Sequence, residues 1–432
     1  MNLTARSYTI VIAITALGIL GEWGGPAYEY AWRMPAAIFI LLILLERFNA
    51  QRIVPPIIRE LDKQSRLGRP LTMTFSMSNI DQRPLNVQIL DTHPLGILQS
   101  AEPIDLKASI NQTSSTSITI TPTLLGTLQW QDVQARILGR FGLARWSRSL
   151  SIPGELKVVP DRLNQSEHRK AATQVQGDII RRQVGSGMEL MGLREYQAGD
   201  PLHYIDWKAT ARSSNPIVRV YTEEQHLELV LLIDIGRTSA MQAGTLTRLG
   251  HYCNIAARLA EKAISNGDQI HVIVFSDQVQ ARLKRLKGPA GLRRVRNLLQ
   301  ELHSMPNESN PLPAIMQVRN LVQQRSLVVM LTDLDDGDAA TQLVQSVSLL
   351  RPKHLPLIAS PIDSEVTEIQ HRYPAQWLDP YQSLAANETA LNWHRTRLRL
   401  ERLGVPVVLS PVQHLDSRVL ASYDMMKQQH RI

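Results

Sequence analysis

The chain has 432 residues, 44% of them apolar, enough for two or three folded units each with its own core. Charged residues make up only 20%, and 47 Lys+Arg against 39 Asp+Glu leave a net charge of +8. That composition excludes a disordered tail and a coiled-coil rod, and the lone cysteine, Cys253, excludes an internal disulfide framework and a multi-cysteine zinc site. A basic balance favours acidic surfaces such as anionic lipid or acidic proteins, and a single thiol suits a reducing compartment.

Residues 1–53 predict a membrane helical hairpin. Ser7 to Gly21 and Met34 to Leu45 carry no charge. Each run falls short of the ~18–20 apolar residues that span a bilayer core. The segment between them, EWGGPAYEYAWR, holds a Gly-Gly-Pro break and four aromatics suited to the headgroup level, Trp23, Tyr28, Tyr30 and Trp32. Arg33 is the basic residue of that loop, whereas Arg47, Arg52, Arg59, Lys63 and Arg66 follow the second run. The positive-inside rule then predicts two spans in the inner (cytoplasmic) membrane, with both termini and everything past residue 50 in the cytoplasm. A cleaved signal peptide accounts for the first run but leaves the second unexplained.

Residues 54–165 predict a small β-sandwich. LTMTFSMS puts Leu71, Met73, Phe75 and Met77 on one face and Thr72, Thr74, Ser76 and Ser78 on the other. Similar short runs recur at LNVQIL, TSITIT, TLQWQ and ELKVV between turn-forming residues. Asp and His residues are isolated here, so the expected role is structural or adhesive.

Residues 226–432 predict an α/β unit, separated from the sandwich by a linker over 166–225. LELVLLIDI reads as a buried parallel strand ending in an acid. A helix with Leu249, Cys253, Ala256, Ala260 and Ala263 on one face follows it. HVIVFSD, a basic helix near 288–303, LVVMLTD, KHLPLIASP and VPVVLSP complete the alternation. Strands alternating with amphipathic helices predict an open, mostly parallel sheet with helices on both faces. Ligands bind beyond the carboxyl ends of such strands, where Asp234 and Asp333 stand.

The linker carries Leu193-Arg194-Glu195-Tyr196, Gly199-Asp200, Ile205-Asp206-Trp207-Lys208-Ala209 and Ala211-Arg212. On these residues the chain closely resembles a bacterial family catalogued as domain of unknown function number fifty-eight, whose members carry LREYxPGD and IDWKAxAR. The likeness extends more loosely over a helix pair, a sandwich ending in FGL (Phe141 to Leu143) and VVP (Val158 to Pro160), and the α/β unit. Ala198 stands where proline is usual, His203 where arginine is usual, and Val220-Tyr221 where arginine-glutamate is frequent. The resemblance implies a von Willebrand factor A-like fold for the α/β unit, membrane anchoring, and a MoxR-type AAA+ ATPase as neighbour and partner. It implies assistance in assembling or activating other complexes and assigns no catalytic activity.

An A-like domain raises the question of a metal-ion-dependent adhesion site, in which hard oxygen ligands hold Mg²⁺. The first motif reads Asp234-Ile235-Gly236-Arg237-Thr238, so a glycine has replaced the first serine hydroxyl. Arg237 adds a cation beside it. Asp333 fits the third position, with Asp335 and Asp336 nearby, and Ser309 is the best candidate from the second loop. Asp234, Thr238 and Asp333 therefore form a degenerate metal set, and no cofactor is assigned. Arg194, Glu195, Tyr196, Asp200, Asp206, Trp207, Lys208 and Arg212 read as a hydrogen-bonded joint or a partner surface. Opposite charges lie close in sequence there, and a buried charge needs a partner.

No G-x-x-x-x-G-K-[ST], H-E-x-x-H or G-x-S-x-G motif is present. The basic stretch RLKRLKGPAGLRRVR lacks the interleaved aromatics of a base-stacking surface, so nucleic acid is not expected. The expectation is a membrane-anchored, cytoplasm-facing adaptor with no enzymatic activity. Its rivals are a Mg²⁺-dependent enzyme using Asp234 and Asp333, and, more weakly, an adhesion receptor facing outward.

Overall fold

The computed structural model describes residues 2–23, 30–52, 56–79, 84–99, 103–163, 184–185, 189–222, 228–334, 337–373 and 375–428. The chain divides into two compact units, Met1–Val159 and Pro160–Ile432.

The first unit joins two helices to a two-sheet sandwich. Its strands are β1 (Asn2–Leu3), β2 (Ile57–Glu60), β3 (Gln64–Arg66), β4 (Leu71–Ser78), β5 (Leu85–Asp91), β6 (Ile97–Leu98), β7 (Ile104–Ala108), β8 (Thr113–Pro122), β9 (Gly126–Leu138) and β10 (Ala144–Val159). One sheet runs β1-β10-β9-β5-β7 with β3 beside β10, and the other runs β2-β4-β8-β6. The period-two reading of β4 holds, since Met73, Phe75 and Met77 are fully buried, as are Val87, Ile89 and Ile137 of the other sheet.

The helices are α1 (Ala5–Trp23) and α2 (Arg33–Arg52). Among the described residues, α1 is the one helix long and apolar enough to cross a membrane. In α2 the uncharged run ends at Glu46 and Arg47. Both helices expose large apolar side chains, including Ile12, Leu20, Ile38 and Leu41. Their outer ends meet at one place, the β9–β10 turn. Thr4 Oγ1 donates to Gly142 O at 2.6 Å, and Ser7 Oγ donates to Leu143 O. Glu46 of α2 accepts from the backbone N–H of Phe141 (2.7 Å), Leu143 (3.1 Å) and Ala144 (3.0 Å). Gly139 leaves room for that carboxyl, because a Cβ there would overlap it. The FGL segment is thus the turn that holds the helix pair.

The second unit opens with a small antiparallel sheet of order β11-β13-β12: β11 (Val184–Gly185), β12 (Glu189–Glu195) and β13 (Ile217–Thr222). The connection from β12 to β13 contains the one-turn helix α3 (Trp207–Thr210).

A six-stranded sheet follows, in order β18-β17-β14-β19-β20-β21. Its strands are β14 (Glu228–Asp234), β17 (Gln269–Phe275), β18 (Val279–Leu286), β19 (Leu327–Leu331), β20 (Leu355–Ile362) and β21 (Val407–Pro411); β15 (Gln242–Ala243) and β16 (Leu246–Thr247) form a short hairpin apart from it. All neighbours are parallel except β18, which returns antiparallel along β17. Every residue of β14 is buried, which explains its continuous apolar run.

Helices α4 (Arg248–Ser265), α5 (Gly288–Gln300), α6 (Pro311–Leu321), α7 (Gly337–Ser348), α8 (Ser364–His371), α9 (Asp379–Arg402) and α10 (Val412–Gln428) cover the sheet. Ala314, Ile315 and Val318 of α6, Leu343 and Val347 of α7, and Trp393 and Leu400 of α9 share one core with Val230, Ile273, Met330 and Ile358. The predicted stripe of α4 is buried, with Cys253, Ala256, Ala260 and Ala263 fully so.

The basic stretch departs from expectation. The first half of the basic stretch is the edge strand β18, not the lead-in to a helix. Arg282 and Lys284 there place charge along a sheet edge, where it discourages pairing with another chain.

Candidate functional site

The doubly wound order places β14 between β17 and β19, so the chain's crossovers leave β14 toward opposite sides of the sheet. A crevice opens at that switch point, beyond the carboxyl ends of β14 and β19. Asp234 ends β14, and Thr332 and Asp333 follow β19. The crevice is lined by Asp234, Thr238, Ser309, Thr332 and Asp333, with Arg237 and Glu308 at its rim, and encloses about 40 Å³. That is room for on the order of three waters. Organic ligands occupy pockets of roughly 300–1,000 Å³.

Asp234 is buried and accepts three hydrogen bonds. Oδ1 accepts from Gly236 N at 2.8 Å and from Ser309 Oγ at 2.5 Å; Oδ2 accepts from Thr332 Oγ1 at 2.6 Å. Burial pushes its carboxyl above the usual range, and the three donors oppose that shift. Gly236 is what admits Ser309: a Cβ at 236 would overlap the Ser309 hydroxyl. Ser309, from the second loop, thus sets a hydroxyl against Asp234 beside the glycine of the first motif.

Asp333 is committed elsewhere. Its carboxylate forms a buried ion pair with Arg248, at the start of α4. Arg248 thus brings a fixed internal cation to the strand end where a metal site would need a free acid. One carboxylate remains to the hydroxyls of Ser309 and Thr332, and this donor set does not fit the Mg²⁺ site in which Asp234 and Asp333 act together. Among the described residues no group of three His, Cys, Asp or Glu is placed to hold a metal ion. Asp335 and Asp336 lie outside the described residues, and Thr238 is a lining residue. Sequence reasoning missed Thr332 and Arg248. A threonine next to Asp333 and an arginine at the head of a buried helix face were the available signals.

In the signature segment Asp200 and Asp206 are also occupied. Arg194 and Asp200 form a two-pronged pair, with Nη1–Oδ2 at 2.7 Å and Nη2–Oδ1 at 2.6 Å. Hydrogen bonding to Arg194 and to Gln197 N holds the Asp200 carboxyl below the ordinary range. Asp206 caps α3, accepting from Lys208 N (3.0 Å) and Ala209 N (3.1 Å), while its other oxygen takes Arg219 Nε at 3.0 Å. These bonds lower its pKa, Arg219 most. Tyr196 N donates to Pro216 O at 2.8 Å, closing the loop onto β13.

Glu195, Trp207, Lys208 and Arg212 point outward. The Trp207 indole is 70% exposed and neighbouring Leu202 is 68% exposed. The frame is internally bonded and its aromatic is held out to solvent.

The sandwich departs from expectation as well. Asp91 and His93, isolated from other acids and bases in sequence, meet Arg59 in its interior. Arg59 Nη2 lies 2.6 Å from Asp91 Oδ1, and both side chains are almost fully buried. Burial raises the Asp91 carboxyl and lowers the Arg59 guanidinium, with their mutual attraction opposing both shifts. Trp130 Nε1 donates to His93 Nδ1 at 3.2 Å, which keeps that nitrogen an acceptor, and burial lowers the His93 pKa. Arg59 also donates to Ile152 O at 2.7 Å. The cluster braces the sandwich.

Residues 192–366 match the family described as "Protein of unknown function DUF58". Uncharacterized proteins of Mycobacterium tuberculosis and Mycobacterium bovis are 24% identical over 164 residues, covering 36% of this chain and 50% of theirs. The chain therefore spans about half the length of the curated relatives it matches. Among solved structures, Escherichia coli alpha-2-macroglobulin in its native conformation is similar over 25% of this chain and 7% of that one, at 16% identity and a TM-score of 0.19. A cohesin module from a Clostridium perfringens family 33 glycoside hydrolase is similar over 24% of this chain and 96% of that one, at 8% identity and a TM-score of 0.17.

Proposed function

We propose, starting from the match of residues 192–366 to the DUF58 family, that this chain is a membrane-anchored adaptor that faces the cytoplasm, binds protein partners and performs no chemistry of its own. Its proposed partner is a MoxR-type AAA+ ATPase, which would supply nucleotide hydrolysis for assembling or activating other complexes. The observation that carries the reading is Trp207. A 70% exposed indole, mounted on a turn capped by Asp206 and flanked by Lys208 and Arg212, has the make-up of a protein-binding anchor. The crevice at Asp234 is small, and its two acids are already bonded to Ser309, Thr332 and Arg248. The apolar exposure of both helices and the basic residues after α2 support a two-span anchor.

Two measurements test this. Co-purification of the detergent-solubilised full chain with the MoxR-type ATPase of the same genome is expected, and Trp207→Ala should weaken it at least about tenfold, typical of losing an interface anchor. Unchanged capture by a variant with an unaltered circular dichroism spectrum removes Trp207 from the interface. Protease added to intact cells should spare residues 56–432. Their digestion from outside reverses the proposed orientation.

A further inference from the structure

Helix α9 is apolar on two opposite sides. The inward side buries Ala386, Trp393 and Leu400, the last two within the core of the α/β unit. Tyr381, Leu384, Leu391 and Leu398 form a second stripe, and they are 67%, 68%, 53% and 38% exposed. With Glu388 and Arg395, also exposed, the outward positions 381, 384, 388, 391, 395 and 398 alternate by three and four residues. That is the spacing of a helix–helix seam, with leucine at every second position. A solvated helix face has no reason to repeat leucine each seven residues over two heptads.

We propose that this seam pairs α9 with α9 of a second copy of the chain, the two helices running antiparallel and crossing near Leu391. Charge selects both the occupant and the direction. In an antiparallel pair centred there, Leu384 of one copy lies beside Leu398 of the other, Leu391 meets Leu391, and Glu388 lies beside Arg395 on each side of the centre. A parallel pair would set Glu388 against Glu388 and Arg395 against Arg395, and like charges at facing positions are destabilising. The seam is self-complementary in the way a two-fold interface requires. A helix of 24 residues is about 36 Å long, enough for the whole stripe to engage a partner helix. The inference is independent of the adaptor reading and of the residues around Trp207.

The full chain in detergent tests it. Sedimentation over a dilution series should resolve a monomer–dimer equilibrium, and Leu391→Glu should raise the dissociation constant at least about tenfold while leaving the circular dichroism spectrum unchanged. Cys253 is buried, so the wild-type thiol is a silent background for crosslinking. Under a copper–phenanthroline oxidant, Leu391→Cys should form a disulfide-linked dimer with itself. Leu384→Cys should link to Leu398→Cys in a mixture but poorly to itself. Glu388→Arg and Arg395→Glu should each weaken the dimer, and the double variant should restore it. A chain that stays monomeric throughout, a dimer indifferent to Leu391→Glu, or self-linking of Leu384→Cys equal to that of Leu391→Cys would each overturn the proposal.

Discussion

Asp234 is buried beside the crevice with three donors around it, and its pKa lies above the carboxylate norm because burial outweighs them. A group whose folded pKa exceeds its unfolded value favours folding below the unfolded value of ~3.9 and loses that contribution as pH rises through the folded one. Ionised Asp234 is therefore a cost at neutral pH. Asp234→Asn is expected to gain melting temperature over the wild type as pH rises from 4 to 8, at about 2–4 °C per kcal/mol for a unit of this size. Thermal scans across that range check it; a difference that is flat with pH would show that the carboxylate is fully compensated. Arg248 and Asp333 behave differently, since removing one partner strands a buried charge. Arg248→Met should cost on the order of 3–5 kcal/mol, whereas the pair changed together to Met and Leu should cost much less. Denaturant midpoints of the single and double variants decide this.

Among the elements, the helix pair depends on a turn far away in sequence. Glu46 fills three backbone N–H groups of the β9–β10 turn with two carboxylate oxygens. Glu46→Gln turns an amide N–H toward one of those donors and should cost roughly 1.5–3 kcal/mol, the range for a charge-assisted bond. Gly139→Ala should be worse, because its methyl group displaces the carboxyl itself. Melting of the full chain in detergent compares the two, and a Gly139→Ala variant as stable as wild type would mean that Glu46 does not hold the turn. The apolar runs made the helices legible in the sequence. Nothing in those runs pointed to Glu46, because its partners are backbone groups about a hundred residues later. The edge strand β18 was illegible for a related reason: its charges hide the period-two pattern that an edge position needs on one face alone.

At the scale of the whole molecule, acid should weaken the fold. Burial lowers the pKa of His93 in the sandwich and of His251, His271 and His354 in the α/β unit. Each prefers the neutral form when folded, so its contribution is complete above the unfolded pKa of ~6.5 and is lost as pH falls below it. Denaturant midpoints should drop between about pH 7 and pH 5. His271 is buried and neither ring nitrogen has a hydrogen-bond partner. His271→Leu should therefore flatten part of that slope, and a slope unchanged by it would assign the acid sensitivity to other groups. Asp91 and Asp234, with raised pKa values, act in the opposite sense and soften the loss at the acid end.

Local pattern was enough to place the apolar helices, the alternating strand β4, the buried run of β14 and the strand ends at Asp234 and Asp333, because hydrophobic period is written along the chain one element at a time. The resemblance to the family rested likewise on contiguous residues of the signature segment. Tertiary structure alone decided which polar groups meet. It gave Asp333 to Arg248, brought Ser309 and Thr332 onto Asp234, closed Arg59 over Asp91, and left Trp207 and the outer seam of α9 in solvent. Those outcomes depend on sheet order and on which side each crossover takes, and a buried charge or hydrogen-bonding group accepts whichever partner that topology delivers within about 3 Å.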